Sequence, residues 1–526
     1  MIRAHNTIYA FETEAFEKVS GLSLCLEEPS VDPENPVVTG GPEDPRSVGP
    51  QPPQGSHLPR SRQWAGKICY TASVEACDGG YGMWFQSEAP TGEMTRRFAW
   101  SADGLTWSDP KTVGEGLFNS VGNSFNVYFD GERFLAPLTA MGSEVPADSE
   151  LRALLPQDVG DARRRKMTEA AIAKTGRAGV VTFVGVATSL DGRRWSLPQW
   201  TPRLPLKLET PWVYRFRGRY IMNAQTNGTW FDPPAEAKRI VVFFTSDDLI
   251  NWETEPHCMT NVAHESIAGQ THVGICPIKC IDDRLLIGLG GRFDDGHELT
   301  DQHFEITLLY SYDGLHWQPV APDHERRSWI RRGRRGEWDF GGVAAMGMVE
   351  HGEEAAVYYA GTRVGNACHT QPLYDPGSCQ VGRVRFGRDR FAGLQPAVGW
   401  KTLNAGAAAT TAVGVITTKP VRLSPERPVT LNVDMPDDDS AKAVVEVLDM
   451  HGGVVESATV REGGVAVHVP IGRHGVQHGT PGESPQSDGQ VPITDARRGM
   501  REARLRITLQ GGPAPDRVPR LFAIEY

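Results

Sequence analysis

A seven-residue motif, Ser-x-Asp-x-x-x-Trp, occurs four times in the chain, at 101–107, 189–195, 246–252 and 311–317. In three copies a glycine follows the aspartate, and in the copy at 246–252 a leucine takes that place. Each copy follows a run of residues typical of a β-strand, at 95–100, 181–186, 240–245 and 306–310. A unit that recurs in the same context predicts a repeat architecture built from small antiparallel sheets.

The chemistry of the motif fits a turn at the end of a strand. An aspartate side chain accepts a hydrogen bond from the backbone two residues on, and glycine adopts a positive φ at little cost. The tryptophan then begins the outer strand of the sheet and covers apolar surface between neighbouring sheets. We therefore interpret the four copies as turns in four blades of a β-propeller. Strand-like runs at 339–349 and 355–360, which lack the motif, predict a fifth blade.

The predicted fold is all-β, a five-bladed β-propeller over 63–392 followed by a C-terminal β-sandwich over 393–526. The sandwich is predicted because short segments such as 443–448 and 503–509 alternate polar and apolar residues between turns. Residues 1–62, rich in proline, glycine and serine after residue 31, are predicted to wrap the propeller. The run at 160–175 predicts a helical insertion in the second blade.

Composition excludes several classes of function. A net charge of −11 disfavours non-specific binding of nucleic acid and gives no reason to expect an anionic membrane partner. No apolar run reaches the roughly 18 residues of a membrane span, and the first ten residues lack the apolar core of a secretory signal. The eight cysteines form no Cys-x-x-Cys pair, so we predict free thiols in a cytoplasmic protein. No cofactor is predicted, a central metal is left open, and an oligomer is compatible with the sequence.

The starts of the predicted innermost strands carry the candidate catalytic residues. In a propeller these starts converge on one mouth of the central channel, where a pocket forms. Glu209 opens the innermost strand of blade 3, Asp339 that of blade 5 and His272 that of blade 4. Hydrolysis of a glycosidic bond needs two carboxyl groups, one protonated and one ionised. We predict Glu209 as general acid and Asp339, in polar surroundings, as ionised base or nucleophile. Structural carboxylates that satisfy backbone amides are the open alternative.

The stretch from Glu209 to Tyr220, Glu-Thr-Pro-Trp-Val-Tyr-Arg-Phe-Arg-Gly-Arg-Tyr, resembles the strand that carries the general acid in family 43 glycosidases. Five blades followed by a sandwich resemble the family 32 fructosidases and the bacterial "family 32-like" proteins, whose C-terminal part is similar to residues 414–434 here. The chain departs from family 32 in lacking the Trp-x-Asn-Asp-Pro-Asn and Arg-Asp-Pro motifs. The resemblance implies a glycoside hydrolase, or a transglycosylase, acting on a small glycan or oligosaccharide, with an arabinofuranoside or fructofuranoside favoured.

Further residues are candidates for contacting the substrate because they lie near the predicted pocket. Tryptophans stack on the apolar face of a sugar, and charged or amide groups bind its hydroxyls; propeller packing and solvated turns are the alternatives. Blade 1 offers no acid at its inner strand, so an acid of the loop 43–46 folded back over the pocket is a candidate in its place; an ordinary surface loop is the favoured alternative. The candidates are Asp44, Asn123, Trp212, Arg292, Asp294, Glu337 and Trp338.

Two other functions remain open at this point. A family 130-like glycoside phosphorylase would use arginine and histidine side chains of blades 4 and 5 for phosphate. A carbohydrate-binding propeller without catalytic activity would need no carboxylate pair. A sialidase is disfavoured, because its turns place one more residue between aspartate and glycine and its propeller has six blades.

Overall fold

The computed structural model describes residues 2–4, 7–41, 63–141, 182–203, 208–227, 239–258, 270–294, 302–320, 328–365, 379–397, 411–423, 428–469 and 501–526, with short gaps at 66, 78, 89–93, 115–124, 197–200, 254–256, 364 and 513. These residues are almost entirely strands and turns, with single turns of 3₁₀ helix at Thr13–Ala15 and Pro515–Arg517, so the protein is all-β. None of the helices described is long and apolar enough to cross a membrane. The predicted helical insertion at 160–175 lies outside the described residues.

The chain forms two compact units. The first comprises 1–4 and 28–386, and the second 5–27 and 387–526. The N-terminal part of the chain is thus divided, because residues 5–27 belong to the second unit and residues 28–41 to the first.

The first unit contains five groups of four strands in its described residues, each hydrogen-bonded in succession. The first group contains β8 (Lys67–Cys77), β9 (Gly80–Glu88), β10 (Met94–Ser101) and β11 (Lys111–Thr112), and the second contains β12 (Tyr128–Phe129), β13 (Phe134–Met141), β14 (Thr182–Ser189) and β15 (Thr201–Arg203). The third group contains β16 (Glu209–Phe216), β17 (Arg219–Asn227), β18 (Arg239–Ser246) and β19 (His257–Cys258), and the fourth contains β20 (Gln270–Ile281), β21 (Leu285–Asp294), β22 (His303–Ser311) and β23 (Gln318–Pro319). The fifth group contains β24 (Gly342–His351), β25 (Glu354–Thr362), β26 (Cys379–Gly387) and β5 (Ser30–Val31).

The first strands of the five groups contact one another in cyclic order. β8 contacts β12, β12 contacts β16, β16 contacts β20, β20 contacts β24, and β24 returns to β8. The contact between β24 and β8 includes a parallel bridge between Gly347 and Val74. Side chains also reach between groups: Asn223 of β17 exchanges two hydrogen bonds with the backbone of Ile275, each 3.0 Å long. The first strands therefore form a closed ring.

Short strands from the N-terminal part of the chain complete this unit. β1 (Ile2–Ala4) pairs in parallel with β20, and β6 (Thr39–Gly41) pairs in parallel with β7 (Gln63–Ala65). β5 is the outer strand of the fifth group, where it pairs with β26. The buried Arg383 of β26 forms an ion pair with Asp32, which follows β5 directly.

The predicted chemistry of the four repeated turns is confirmed. In each turn the aspartate Oδ1 accepts hydrogen bonds from two backbone N–H groups and from the serine hydroxyl. Burial alone would raise the pKa of Asp103, but the N–H groups of Thr106 and Leu105 lower it to about 2. A carboxylate that accepts several hydrogen bonds stays ionised far below neutral pH.

Neighbouring groups are joined at these turns by aromatic donors. Trp84 donates to the carbonyl of Gly192 at 2.7 Å, and Tyr214 donates to that of Gly314 at 2.6 Å. Both glycines have a positive φ, and a Cβ at either would lie within 2.6 Å of a side chain from the neighbouring group. Glycine is therefore required there for its conformation and for the close approach. In the third copy Leu249 takes this conformation, with φ of 68°.

The second unit contains two six-stranded sheets. In the first sheet the strand order is β33 (Gly464–His468), β30 (Thr430–Asp434), β35 (Arg520–Glu525), β27 (Ala392–Pro396) and β4 (Leu22–Leu26), and β2 (Thr7–Tyr9) also pairs with β35. In the second sheet the order is β3 (Phe16–Ser20), β28 (Ala412–Thr418), β34 (Arg501–Gly511), β31 (Lys442–Leu448) and β32 (Val454–Val460), and β29 (Val421–Leu423) also pairs with β34. Apolar side chains of both sheets, such as Leu431 and Ile507, share one buried core.

We predict that Asp313→Ala weakens the first unit, because its carboxylate accepts hydrogen bonds from the backbone of Leu315 and His316. The expected loss is about 1 kcal/mol in the free energy of unfolding, measured by urea denaturation. The exposed Asp109 serves as control, and Asp109→Ala should leave the unfolding midpoint unchanged. An equal effect of both substitutions would contradict the structural role of the turn.

Candidate functional site

Irregular pairing is concentrated toward the starts of the first strands. Four of the five carry a β-bulge in their first six residues, at 68–72, 209–212, 272–275 and 345–347, and β20 carries a second irregularity further along, at 277–279. The repeated turns lie at the other end of the sheets: Tyr81, for example, pairs with both Ser101 of the first turn and Ala76 near the end of β8. Bulges re-aim side chains and are common next to active sites. The candidate site therefore lies at the ring end where the first strands begin.

Glu209 is held at this end by a strained backbone. Thr210 follows it with φ of 50°, a conformation that β-branched residues rarely adopt. The side chain of Asn126, from the second group, donates to the carbonyl of Pro211 at 2.8 Å and anchors the bulge. Gln225 on β17 donates to Oε2 of Glu209 at 2.9 Å. Glu209 is half-buried as a residue, and its carboxylate is oriented by Gln225. Backbone strain of this kind is a common feature of functional sites.

The fourth group packs against the same bulge. Gly274 on β20 has φ of +146°, and a Cβ built there would lie 3.7 Å from both the carbonyl oxygen of Thr210 and the indole of Trp212. Trp212 itself is only 7% exposed. Its indole thus packs between the third and fourth groups, which supports the packing alternative over a role in stacking on substrate.

Asn126 is a site residue that the sequence analysis missed. It is 1% exposed, and its side-chain Oδ1 has no hydrogen-bond partner among the described residues. The available signal was its position between the apolar Phe125 and Val127 in a strand-like run, where a buried amide needs a partner. The partner is the third group, which no local pattern identifies.

Asp339 lies in the loop before β24 and is 8% exposed. Tyr359 on β25 donates to its Oδ2 at 3.1 Å, and the amide of Asn35 lies 3.4 Å from the same hydroxyl. Burial raises the pKa of Asp339, and the negative charge of Glu337 adds to the shift, while the hydrogen bond from Tyr359 opposes it. The surroundings of Asp339 are therefore less polar than predicted, because the carboxyl is enclosed between the loop and β25.

Trp338 and Glu337 come from the same loop. The ring of Trp338 stacks on Tyr359 with centroids 5.7 Å apart and an interplanar angle of 11°. The indole fits there because Gly361 and Gly382 leave room, since a Cβ at either would lie within 2.8 Å of it. Glu337 is exposed and accepts a hydrogen bond from the backbone N–H of Arg334. The structure thus brings together three predicted residues, Glu337, Trp338 and Asp339.

The other predicted site residues lie on the fourth group or outside the residues that the structure describes. Arg292 donates to Ser328 at 3.1 Å, and Ser328 in turn donates to Glu305. His272 pairs with Arg292 across β20 and β21, and Asp294 pairs with His303 across β21 and β22. Asp44 and Asn123 lie outside the described residues. Among the described residues, no cluster of three or more His, Cys, Asp or Glu side chains is arranged to hold a metal ion.

Comparison with known proteins gives weak likenesses. No protein-family model matches the chain, and no curated protein matches its sequence. Among solved structures, a β-1,2-mannobiose phosphorylase from Listeria innocua is 12% identical with a TM-score of 0.41, covering 68% of this chain and 96% of its own. An α-L-arabinofuranosidase from Fusarium graminearum, bound to an iminosugar inhibitor, is 12% identical with a TM-score of 0.38, covering 62% and 94%. A structure described as a glycoside hydrolase is 14% identical with a TM-score of 0.39, covering 61% and 87%. At these TM-scores none of the three assigns a function to the chain.

We predict that the free energy of unfolding of the Asp339→Asn variant, relative to that of the wild type, increases as the pH rises. Because the pKa of Asp339 is raised in the folded protein, its stabilising contribution is present below the unfolded value near 3.8 and is lost as the pH rises through the folded value. An asparagine side chain has no such dependence. The difference in unfolding free energy between variant and wild type should therefore increase from about pH 4 to about pH 7.5, measured by urea denaturation. The same difference at both pH values, or an equal trend in the control Asp109→Asn, would contradict this.

Proposed function

We propose that the first unit is a five-bladed β-propeller and that the second is a β-sandwich. Support for the propeller comes from the five four-stranded groups and from the closed ring of their first strands. Support for the sandwich comes from two sheets with one common core. In this arrangement β5 completes the last blade by pairing with β26, a strand distant in sequence, and the outer edge that remains is the two-residue strand Ser30–Val31.

We propose further that the protein is a carbohydrate-active enzyme, a glycoside hydrolase that uses Glu209 and Asp339 as its two carboxyl groups. The observation that carries the proposal is the half-buried Glu209, whose carboxylate Gln225 orients on a strained bulge at the start of a first strand. A side chain that is fixed by its neighbours and still open to solvent is suited to act on a bound molecule. Asp339, on a different group, supplies the second carboxyl in a buried environment.

The reaction needs these two groups in different protonation states. One carboxylic acid protonates the oxygen of the leaving group, while the other carboxylate attacks the anomeric carbon or activates a water molecule. The proposed substrate is a small glycan, and a furanoside is favoured because of the sequence resemblance to family 43 and family 32 enzymes. Trp338, which is partly exposed and stacked on Tyr359, offers an apolar surface for a sugar ring.

The test is a panel of aryl furanosides and pyranosides, each assayed with and without inorganic phosphate. We expect hydrolysis that does not depend on phosphate. On the phenyl glycosides of the panel, whose leaving group is poor, we expect a loss of about 100-fold or more in kcat for Glu209→Gln and for Asp339→Asn. Glu353→Gln, an exposed carboxylate in the turn before β25, is the matched control and should retain wild-type turnover.

Other outcomes identify other functions. Turnover only in the presence of phosphate would make the protein a phosphorylase. Binding of an oligosaccharide in calorimetry without turnover would make it a carbohydrate-binding protein. Wild-type hydrolysis by both Glu209→Gln and Asp339→Asn would remove these residues from the mechanism.

A further inference from the structure

Two carboxyl groups of the loop before β24 lie side by side. A Cβ built on Gly333 would lie 2.0 Å from Oδ1 of Asp339 and 2.6 Å from Oε2 of Glu337. Both oxygens are therefore close to the same point, and their separation is at most the sum of these distances, about 4.6 Å. The other oxygen of Asp339, Oδ2, is occupied by the hydroxyl of Tyr359. The arrangement thus directs Oδ1 of Asp339 toward Glu337.

Two negative charges at this separation repel each other, and burial increases the cost. Asp339 is 8% exposed, so its charge is poorly solvated, whereas Glu337 is exposed. A carboxylate pair in such a setting lowers its free energy by binding one proton, which then belongs to the pair rather than to either residue. The raised pKa of Asp339, caused by burial first and by Glu337 among the further causes, agrees with this geometry.

Resting on the proposed function, we propose that Glu337 and Asp339 form one proton-carrying pair that serves as the general acid, and that Glu209 acts as the ionised carboxylate. This exchanges the roles that the sequence resemblance implied. The proton passes from the pair to the glycosidic oxygen as its bond to the anomeric carbon breaks, so the leaving alcohol departs neutral. Water then supplies the hydroxyl of the released sugar, and its remaining proton restores the enzyme. Glu337 is the exposed member of the pair and the one that reaches the substrate.

The groups around the pair fix its position, and some of them favour its charged form. The backbone N–H groups of Gly333 and Asp339 donate to the Asp339 carboxyl and, with Tyr359, oppose the rise of its pKa. Arg332 donates to the backbone carbonyl of Phe340 at 3.1 Å and lies over its ring, and His303 hydrogen-bonds the carbonyl of Gly341 at 2.9 Å. Arg334 contributes its backbone N–H to Glu337. From β25, Tyr359 donates to Asp339, and Asn35 lies beyond that hydroxyl. Tyr359 is therefore a positioning residue, because it acts through Asp339.

A leaving-group series separates the two roles. An acid is dispensable when the leaving group is already a good one, whereas the carboxylate that acts on the anomeric carbon is not. For Asp339→Asn and Glu337→Gln we expect losses of about 100-fold or more with an alkyl glycoside but about 10-fold or less with a dinitrophenyl glycoside. For Glu209→Gln we expect the large loss with both substrates. The reverse pattern, with Glu209→Gln active on the dinitrophenyl glycoside and Asp339→Asn inactive, overturns the assignment.

The pH profile tests the coupling inside the pair. The rate falls at high pH when the general acid loses its proton, so this limb reports the pKa of the pair. Glu337→Gln removes a neighbouring negative charge and should move the limb to lower pH. Tyr359→Phe removes a hydrogen bond that favours ionised Asp339 and should move it to higher pH. A purely structural role for either residue would lower the rate and leave the limb in place, which would contradict the proposal. Glu353→Gln and Tyr310→Phe are the matched controls and should not move it.

A readout independent of activity separates this proposal from the function it rests on. In protein labelled with ¹³C at the aspartate carboxyl, the Asp339 signal is identified by its absence in Asp339→Asn. Its titration should move to lower pH in Glu337→Gln and to higher pH in Tyr359→Phe. If no glycoside is turned over, the proposed function fails, and the titration alone then decides whether the pair shares a proton. An Asp339 titration that is the same in Glu337→Gln as in wild type overturns the pair.

Discussion

The first unit depends on hydrogen bonds that cross from one sheet to the next at the repeated turns. Trp84 and Tyr214 each donate to the carbonyl of a turn glycine in the following group, and Tyr358 of the fifth group donates to Gly104 of the first. Small sheets bury little apolar surface alone, so contacts between neighbours supply most of the stability in repeat architectures. The aspartate in each turn holds the carbonyl in place for its donor. One motif thus specifies both the end of a strand and the docking of its neighbour.

The repeated turns fix one end of the sheets, and irregular backbone occurs toward the opposite end. Thr210 keeps a positive φ because Asn126 and Gln225 hold the residues on either side of it. A non-glycine residue in this conformation costs about 1–3 kcal/mol and persists only where surrounding contacts impose it. The closed ring of first strands supplies such contacts, because it presses β20 against β16 at Gly274. The position of the Glu209 carboxylate therefore depends on contacts from the neighbouring strands of the ring.

The sequence predicts the local parts of this structure and misses the parts made by distant contacts. The four turns follow from serine, aspartate, glycine and tryptophan at fixed spacing, because their hydrogen bonds stay within a few residues. The closing strand Ser30–Val31 lacks such a signal, since its partner on β26 lies some 350 residues away. The same holds for residues 5–27, which pair with strands of the second unit. For the candidate site, the repeat predicts Glu209 and Asp339 at the starts of innermost strands. The surroundings of Asp339 depend on Tyr359, whose hydroxyl in turn contacts the distant Asn35, and no local pattern indicates these contacts.

The run from Arg331 to Arg335 shows why the environment of a carboxyl cannot be inferred from nearby charges in sequence. Four arginines flank Gly333, yet Arg331, Arg334 and Arg335 are exposed and Arg332 is committed to Phe340. Unit charges 4 Å apart interact by about 1 kcal/mol in water but by about 4 kcal/mol at the lower effective dielectric near a protein surface. Solvated arginines therefore do little to stabilise the buried charge of Asp339. Burial raises its pKa, and the hydrogen bonds that oppose this rise come from Tyr359 and from the backbone N–H groups of Asp339 and Gly333. Gly333 is the member of the run with the strongest effect, because its missing side chain allows the two carboxyl groups to approach each other.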